Sequence, residues 1–116
     1  MTLRSVAKFL SVAAIVFVVA AALGPANWAP RSGLGWGFDH FAGYFVITCI
    51  FCVAWPRPFV VGGTIMAIAA LLEALQAFTP DRSANFLAAC CGAGGALAAA
   101  IVVECTIRMQ KQRANK

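Results

Sequence analysis

Ionisable side chains are scarce: four acidic residues and one histidine stand among 116, with 11% of the chain charged and 62% hydrophobic. Too few polar side chains remain to cover a water-soluble domain of this size, so a soluble fold is excluded. The alternating strand and helix pattern of an α/β enzyme is missing too, and soluble catalysis by such a domain goes with it. Cys49-Ile-Phe-Cys52 has redox or metal spacing, but no second ligand pair follows and His40 is the only histidine. No metal site and no cofactor are therefore expected. Cys49, Cys52, Cys90, Cys91 and Cys105 all fall in apolar stretches and read as small packing side chains. The net charge of +5 comes from residues that flank apolar segments, not from a basic surface interleaved with aromatics, so no nucleic-acid partner is indicated.

What is present is apolar sequence in four runs, at about 5–23, 38–55, 59–79 and 85–107, followed by a basic tail over 108–116. Each run approaches the ~20 residues with which an α-helix crosses ~30 Å of hydrocarbon. Gly24-Pro25, Pro56-Arg57-Pro58 and Pro80-Asp81 punctuate them, since proline cannot continue a helix it follows. The expected fold is all-α, a single domain formed by a four-transmembrane-helix bundle. The first run imitates a secretion signal, with Arg4 and Lys8 ahead of it and Ala20 and Ala22 near its end. A retained helix agrees better with the charges at the two ends of the chain.

Those charges predict the orientation. Arg4, Lys8, Arg57, Arg108, Lys111, Arg113 and Lys116 fall on one side and Arg31 and Arg82 on the other, which places both termini in the cytoplasm. Trp28, Trp36 and Trp55 lie near the predicted interfaces, where amphipathic rings settle. Gly92-x-x-x-Ala96 and Cys91-x-x-x-Gly95 put small residues on one face of the fourth helix. Contact with another helix of the same bundle is the simpler expectation for this face; a homo-oligomer through Gly92, Gly95 and Ala96 is the alternative. The basic tail is expected to contact anionic lipid. Glu104 precedes Arg108 by one turn and reads as a snorkelling interfacial pair.

The informative residues are the polar ones at membrane depth. Glu73 and Gln76 share a face of the third helix, and an ionised carboxylate in hydrocarbon persists only with a partner or a task. On the second helix His40 and Tyr44 lie one turn apart, with Tyr44 ~6 Å below His40, while Glu73 lies ~9 Å below the exit of the third helix at Thr79. Asp39, Asp81, Arg82 and Asn85 gather at the same outer boundary. One reading is an interhelical clamp, with Glu73 accepting from Tyr44 or His40 and Arg82 paired with Asp81 or Asp39. Such bonds contribute only about 0.6–2 kcal/mol each in membranes, so the functional reading, a binding site, is preferred.

His40-Phe-Ala-Gly-Tyr44 and Glu73-Ala-Leu-Gln76-Ala-Phe-Thr-Pro80-Asp-Arg82, followed by Asn85-Phe-Leu-Ala-Ala-Cys-Cys-Gly92, resemble the VanZ-like family of bacterial membrane proteins. The resemblance runs over helices two to four. Asn85 stands where that family usually has Asp, and Ala89 where it usually has Asn. The resemblance implies a multi-pass protein of the bacterial cytoplasmic membrane, in a family some of whose members are linked to teicoplanin resistance. Three functions stand open at this point. The first is binding of an amphiphilic or lipid-linked envelope molecule, with membrane lipids around it, by His40, Tyr44, Glu73, Gln76, Arg82 and Asn85; Arg82 then contacts a phosphate or carboxylate. The second is an enzyme using Glu73 and His40 as an acid–base pair, against which stands the lack of a nucleophile at a diagnostic spacing. The third is a structural or regulatory subunit of a larger membrane complex.

Overall fold

The structure is a computed structural model that describes residues 1–116. It is all-helical: α1 (Leu3–Leu23), α2 (Trp36–Ala54), α3 (Pro58–Leu75) and α4 (Phe86–Ala114), with 3-10 turns at Ala26–Trp28 and Gln76–Phe78 and no strand. All four helices are long and apolar enough to cross a membrane.

Local chemistry sets the ends. Thr2 caps α1, its side chain accepting from the Ser5 N–H at 3.1 Å, and Gly24 closes the helix with its N–H on Ala20 O at 2.8 Å. The Trp28 ring lies where a Cβ on Gly24 would sit. Gly35, at φ +110°, turns the chain into α2 in a conformation that favours glycine. Pro58 opens α3 at a position where its missing N–H costs nothing. Asn85 caps α4 by accepting from Leu87 N–H at 2.9 Å and Ala88 N–H at 3.4 Å.

Two boundaries differ from the sequence expectation. The last turn of the third run tightens into 3-10 geometry from Gln76, and α4 continues to Ala114, so most of the basic tail is helix. The apolar stretch marks where hydrocarbon ends, not where the helix ends; Arg, Gln and Lys are good helix formers and carry it onward.

The core is built on close approach of small residues. Gly92 lies under the Tyr44 ring, Gly95 against the Phe41 backbone, and Ala100 against Gly62. The Gly92, Gly95 and Ala96 face is thus buried inside the bundle, against α2 and α3, and presents nothing to a second copy. Ile47 and Cys52 of α2, Val61 and Ile65 of α3 and Ala96 of α4 form the buried apolar cluster. Only 20 residues are buried, while Phe9, Val16, Phe59, Val60 and Leu71 face outward, a perimeter that needs lipid as its solvent.

Helix α1 is peripheral. Its only buried residues are Ala7 and Ser11, near its start. There Lys8 Nζ lies 5.9 Å from the centre of the Trp55 ring at the end of α2, a cation–π contact that shows the two helices to be antiparallel. Bonds from the end of α3 to the end of α1, described below, make those two parallel. Both chain ends therefore lie at the end of the bundle that carries the α2–α3 turn.

Candidate functional site

At the opposite end, α1 and α2 part. Between them lies a cleft of about 600 Å³, with Ala14, Phe17, Val18, Ala21 and Ala22 on the α1 wall and Asp39, His40, Gly43, Tyr44, Val46, Ile47 and Ile50 on the α2 wall. Leu72, Glu73 and Gln76 of α3 form its back, and Arg82 reaches it from the α3–α4 turn. Polar side chains collect at the outer end. Deeper, from Gly43 to Ile50, the wall is apolar apart from the Tyr44 hydroxyl.

Glu73 is 6% exposed and is held by two elements. Its Oε1 accepts from the Asn85 N–H at 2.8 Å, at the positive end of α4, which favours a carboxylate. Its Oε2 lies 3.6 Å from His40 Nε2, within ion-pair reach but too long for a direct hydrogen bond. His40 Nδ1 lies 2.8 Å from Trp36 O; a carbonyl only accepts, so Nδ1 is the donor and Nε2 is the ring atom turned toward Glu73. The Tyr44 ring packs on Gly92, with ring centres 6.5 Å from His40. Its hydroxyl makes no bond within the chain and is not sealed from the cleft.

The other three expected site residues have structural partners, and for Arg82 and Gln76 these are backbone carbonyls that the sequence did not indicate. Arg82 donates through Nη2 to Ala21 O at 2.6 Å and Pro25 O at 3.1 Å, and through Nε to Gly24 O at 3.3 Å. Gln76 Nε2 donates to Ala22 O at 3.0 Å. Together they satisfy the orphan carbonyls that end α1, and the guanidinium also answers the negative end of its dipole. Arg82 pairs with neither acid proposed for it. Asp81 instead accepts from the Ala26 N–H at 2.8 Å, and Asp39 accepts from the N–H and hydroxyl of Ser32. Asn85 faces its own helix as a cap. Arg82 and Gln76 still line the cleft, but with three bonds already made from the guanidinium and one from the amide.

Arg82→Ala is therefore expected to loosen the end of α1. Hydrogen exchange at the Gly24 and Trp28 amides should accelerate by at least tenfold, the effect of losing about 2 kcal/mol of charged hydrogen bonding. Exchange in α3 and the centre of α4 should stay unchanged. Uniform acceleration, or none, would contradict the capping role.

The α1 wall is the part of the site that the sequence analysis missed. Its signal was present as small residues, Ala14, Ala21 and Ala22, on the face that carries Phe17 and Val18. At the other end of the bundle Glu104 accepts from Arg108 Nε at 2.7 Å, an exposed pair one turn apart. Cys49 and Cys52 are free thiols, Cys52 within the apolar cluster. Comparison with protein-family models, with curated proteins and with solved structures finds no match to this chain.

Proposed function

We propose that this chain is a VanZ-like integral membrane protein of the bacterial envelope that binds an amphiphilic or lipid-linked envelope molecule from the outer leaflet, with a part in teicoplanin resistance. The observation that supports this most is the cleft. A volume of about 600 Å³ is that of a small-molecule site, and its apolar wall with polar groups at one end has the polarity of an amphiphile. The cleft lies between two helices whose outer faces are apolar, so a lipid reaches it sideways without crossing water.

The test is the lipid that accompanies the purified protein. Gly43 lines the cleft, and a Cβ on it meets nothing within 4 Å, so Gly43→Leu starts from open space and narrows the cleft. Mass spectrometry of copurified lipid should show one species enriched over the bulk membrane in the native protein and depleted in Gly43→Leu. Bulk composition in both would refute the reading.

The proposed orientation puts both termini in the cytoplasm, on the basic residues gathered at that end. A reporter active only outside the cytoplasm, fused after Lys116, should then stay silent. The same reporter placed in the α1–α2 connection near Gly33 should be active; the reverse result overturns the orientation.

A second reading has one observation in its favour. A buried carboxylate beside an imidazole nitrogen, with the ring oriented by Trp36 O, is a proton-transfer arrangement. If the protein transforms its ligand, bound lipid from the native protein and from His40→Ala will differ in mass. Identical species in both would leave binding as the activity.

A further inference from the structure

The cleft has a length and a charge pattern that narrow its occupant. From His40 to Ile50 the α2 wall spans ten residue steps, ~15 Å of helix, and half of a ~30 Å hydrocarbon core is the same depth. On α1 the wall from Ala22 to Ala14 spans ~12 Å. The space between two helix flanks over that length is the shape of one extended apolar chain reaching from the interface to the bilayer midplane.

The outer end is poorly suited to an anion. Its one permanent cation, Arg82, is turned onto three backbone carbonyls of the α1 end. Two carboxylates, Glu73 and Asp39, line the same mouth, and Asp39 also answers the positive end of α2 from its first turn. What stands open is Glu73 Oε2, which accepts, beside His40 Nε2 at a separation that leaves both short of a direct bond. The Tyr44 hydroxyl, which both donates and accepts, lies one helical turn deeper on α2. A hydroxyl fits this trio, because it donates to the carboxylate or to the imidazole nitrogen, both acceptors, while its oxygen accepts from the phenol. A phosphate brings like charge to Glu73 and Asp39, two acids against the single guanidinium of Arg82, whose Nε and Nη2 are already turned onto backbone carbonyls.

We infer that the cleft binds a single-chain amphiphile with an uncharged, hydroxyl-bearing head, its head on Glu73 and His40 and its chain between α1 and α2; this rests on the reading of the cleft as an amphiphile site. It reverses the role first expected of Arg82, which holds α1 in place and does not receive the headgroup.

Native mass spectrometry of the full chain in detergent, titrated with three probes, tests it. Monoolein has the chain and the hydroxyl head, oleoyl lysophosphatidic acid the same chain with an anionic head, and monobutyrin the hydroxyl head with almost no chain. Monoolein should be retained at about tenfold lower concentration than the lysophosphatidic acid, the discrimination that one charge-assisted hydrogen bond supplies, and monobutyrin should not be retained. Glu73→Gln should lose about tenfold in monoolein binding, and Gly43→Leu should lose retention of both oleoyl probes. Equal or tighter binding of the lysophosphatidic acid overturns the headgroup assignment and leaves the amphiphile site standing. Retention of monobutyrin at monoolein's concentration overturns the chain assignment. If neither oleoyl probe is retained, the inference and the function it rests on both fail.

Discussion

Gly95→Ala should cost the folded protein about 3 kcal/mol, near the top of the range for inserting one carbon into a close-packed interior. The added Cβ falls 2.9 Å from the Phe41 carbonyl carbon and 3.0 Å from its Cα, and still nearer the Phe41 oxygen. The obstacle is backbone, so no rotamer change relieves it; α2 and α4 must separate, and the cleft wall that α2 carries must move with them. Thermal unfolding in detergent, followed by circular dichroism, should show the lowered midpoint. Gly63→Ala is the matched control. That position faces open space on an exposed part of α3, so the same substitution should stabilise by about 0.4–1 kcal/mol through the unfolded chain. Opposite signs from one chemical change would establish that close approach, and not glycine content, holds the bundle together. If Gly95→Ala unfolds at the native midpoint, the α2–α4 packing described above is wrong.

The largest functional effect is expected at Glu73, where two substitutions separate support from binding. Glu73→Leu leaves the Asn85 N–H without its acceptor at the start of α4 and should destabilise by about 2 kcal/mol. Glu73→Gln keeps a carbonyl for that N–H and should fold within about 1 kcal/mol of the native protein, yet it loses the charge that faces His40. On the proposed function, both variants should fail to restore teicoplanin tolerance to a strain lacking the protein, although Glu73→Gln accumulates normally. Full complementation by Glu73→Gln would remove the carboxylate from the proposed function and leave it as a cap for α4.

The helices were legible because hydrocarbon imposes a length and proline punctuates it. Gly24-Pro25, Pro58 and Pro80 fall within a few residues of the observed boundaries. The pairing of Glu73 with His40 was also legible in outline, since buried ionisable groups at one depth have few places to turn. The partners of Gln76 and Arg82 were not legible, for a physical reason. They are backbone carbonyls of α1, and a backbone carbonyl leaves no trace in the residue pattern. Asn85 was different: an asparagine just before an apolar run is a recognisable cap, and that signal was overlooked in favour of the motif around it. The cleft itself depends on how far α1 stands from α2, a tertiary distance that no local pattern encodes.

That distance has a mechanical consequence. Helix α1 is fastened near its start by Ala7, Ser11 and Lys8, and at its finish by Gln76, Arg82 and Asp81, while its middle borders the cleft. A rod pinned at both ends has no hinge. On the proposed function, a chain then slides in and out sideways between two fixed rails, and the width of the cleft stays set by the fastenings at its two ends. An occupant wider than that spacing would have to bow α1 outward against the lateral pressure of the surrounding lipid, so exchange of bulky chains should slow as the bilayer stiffens.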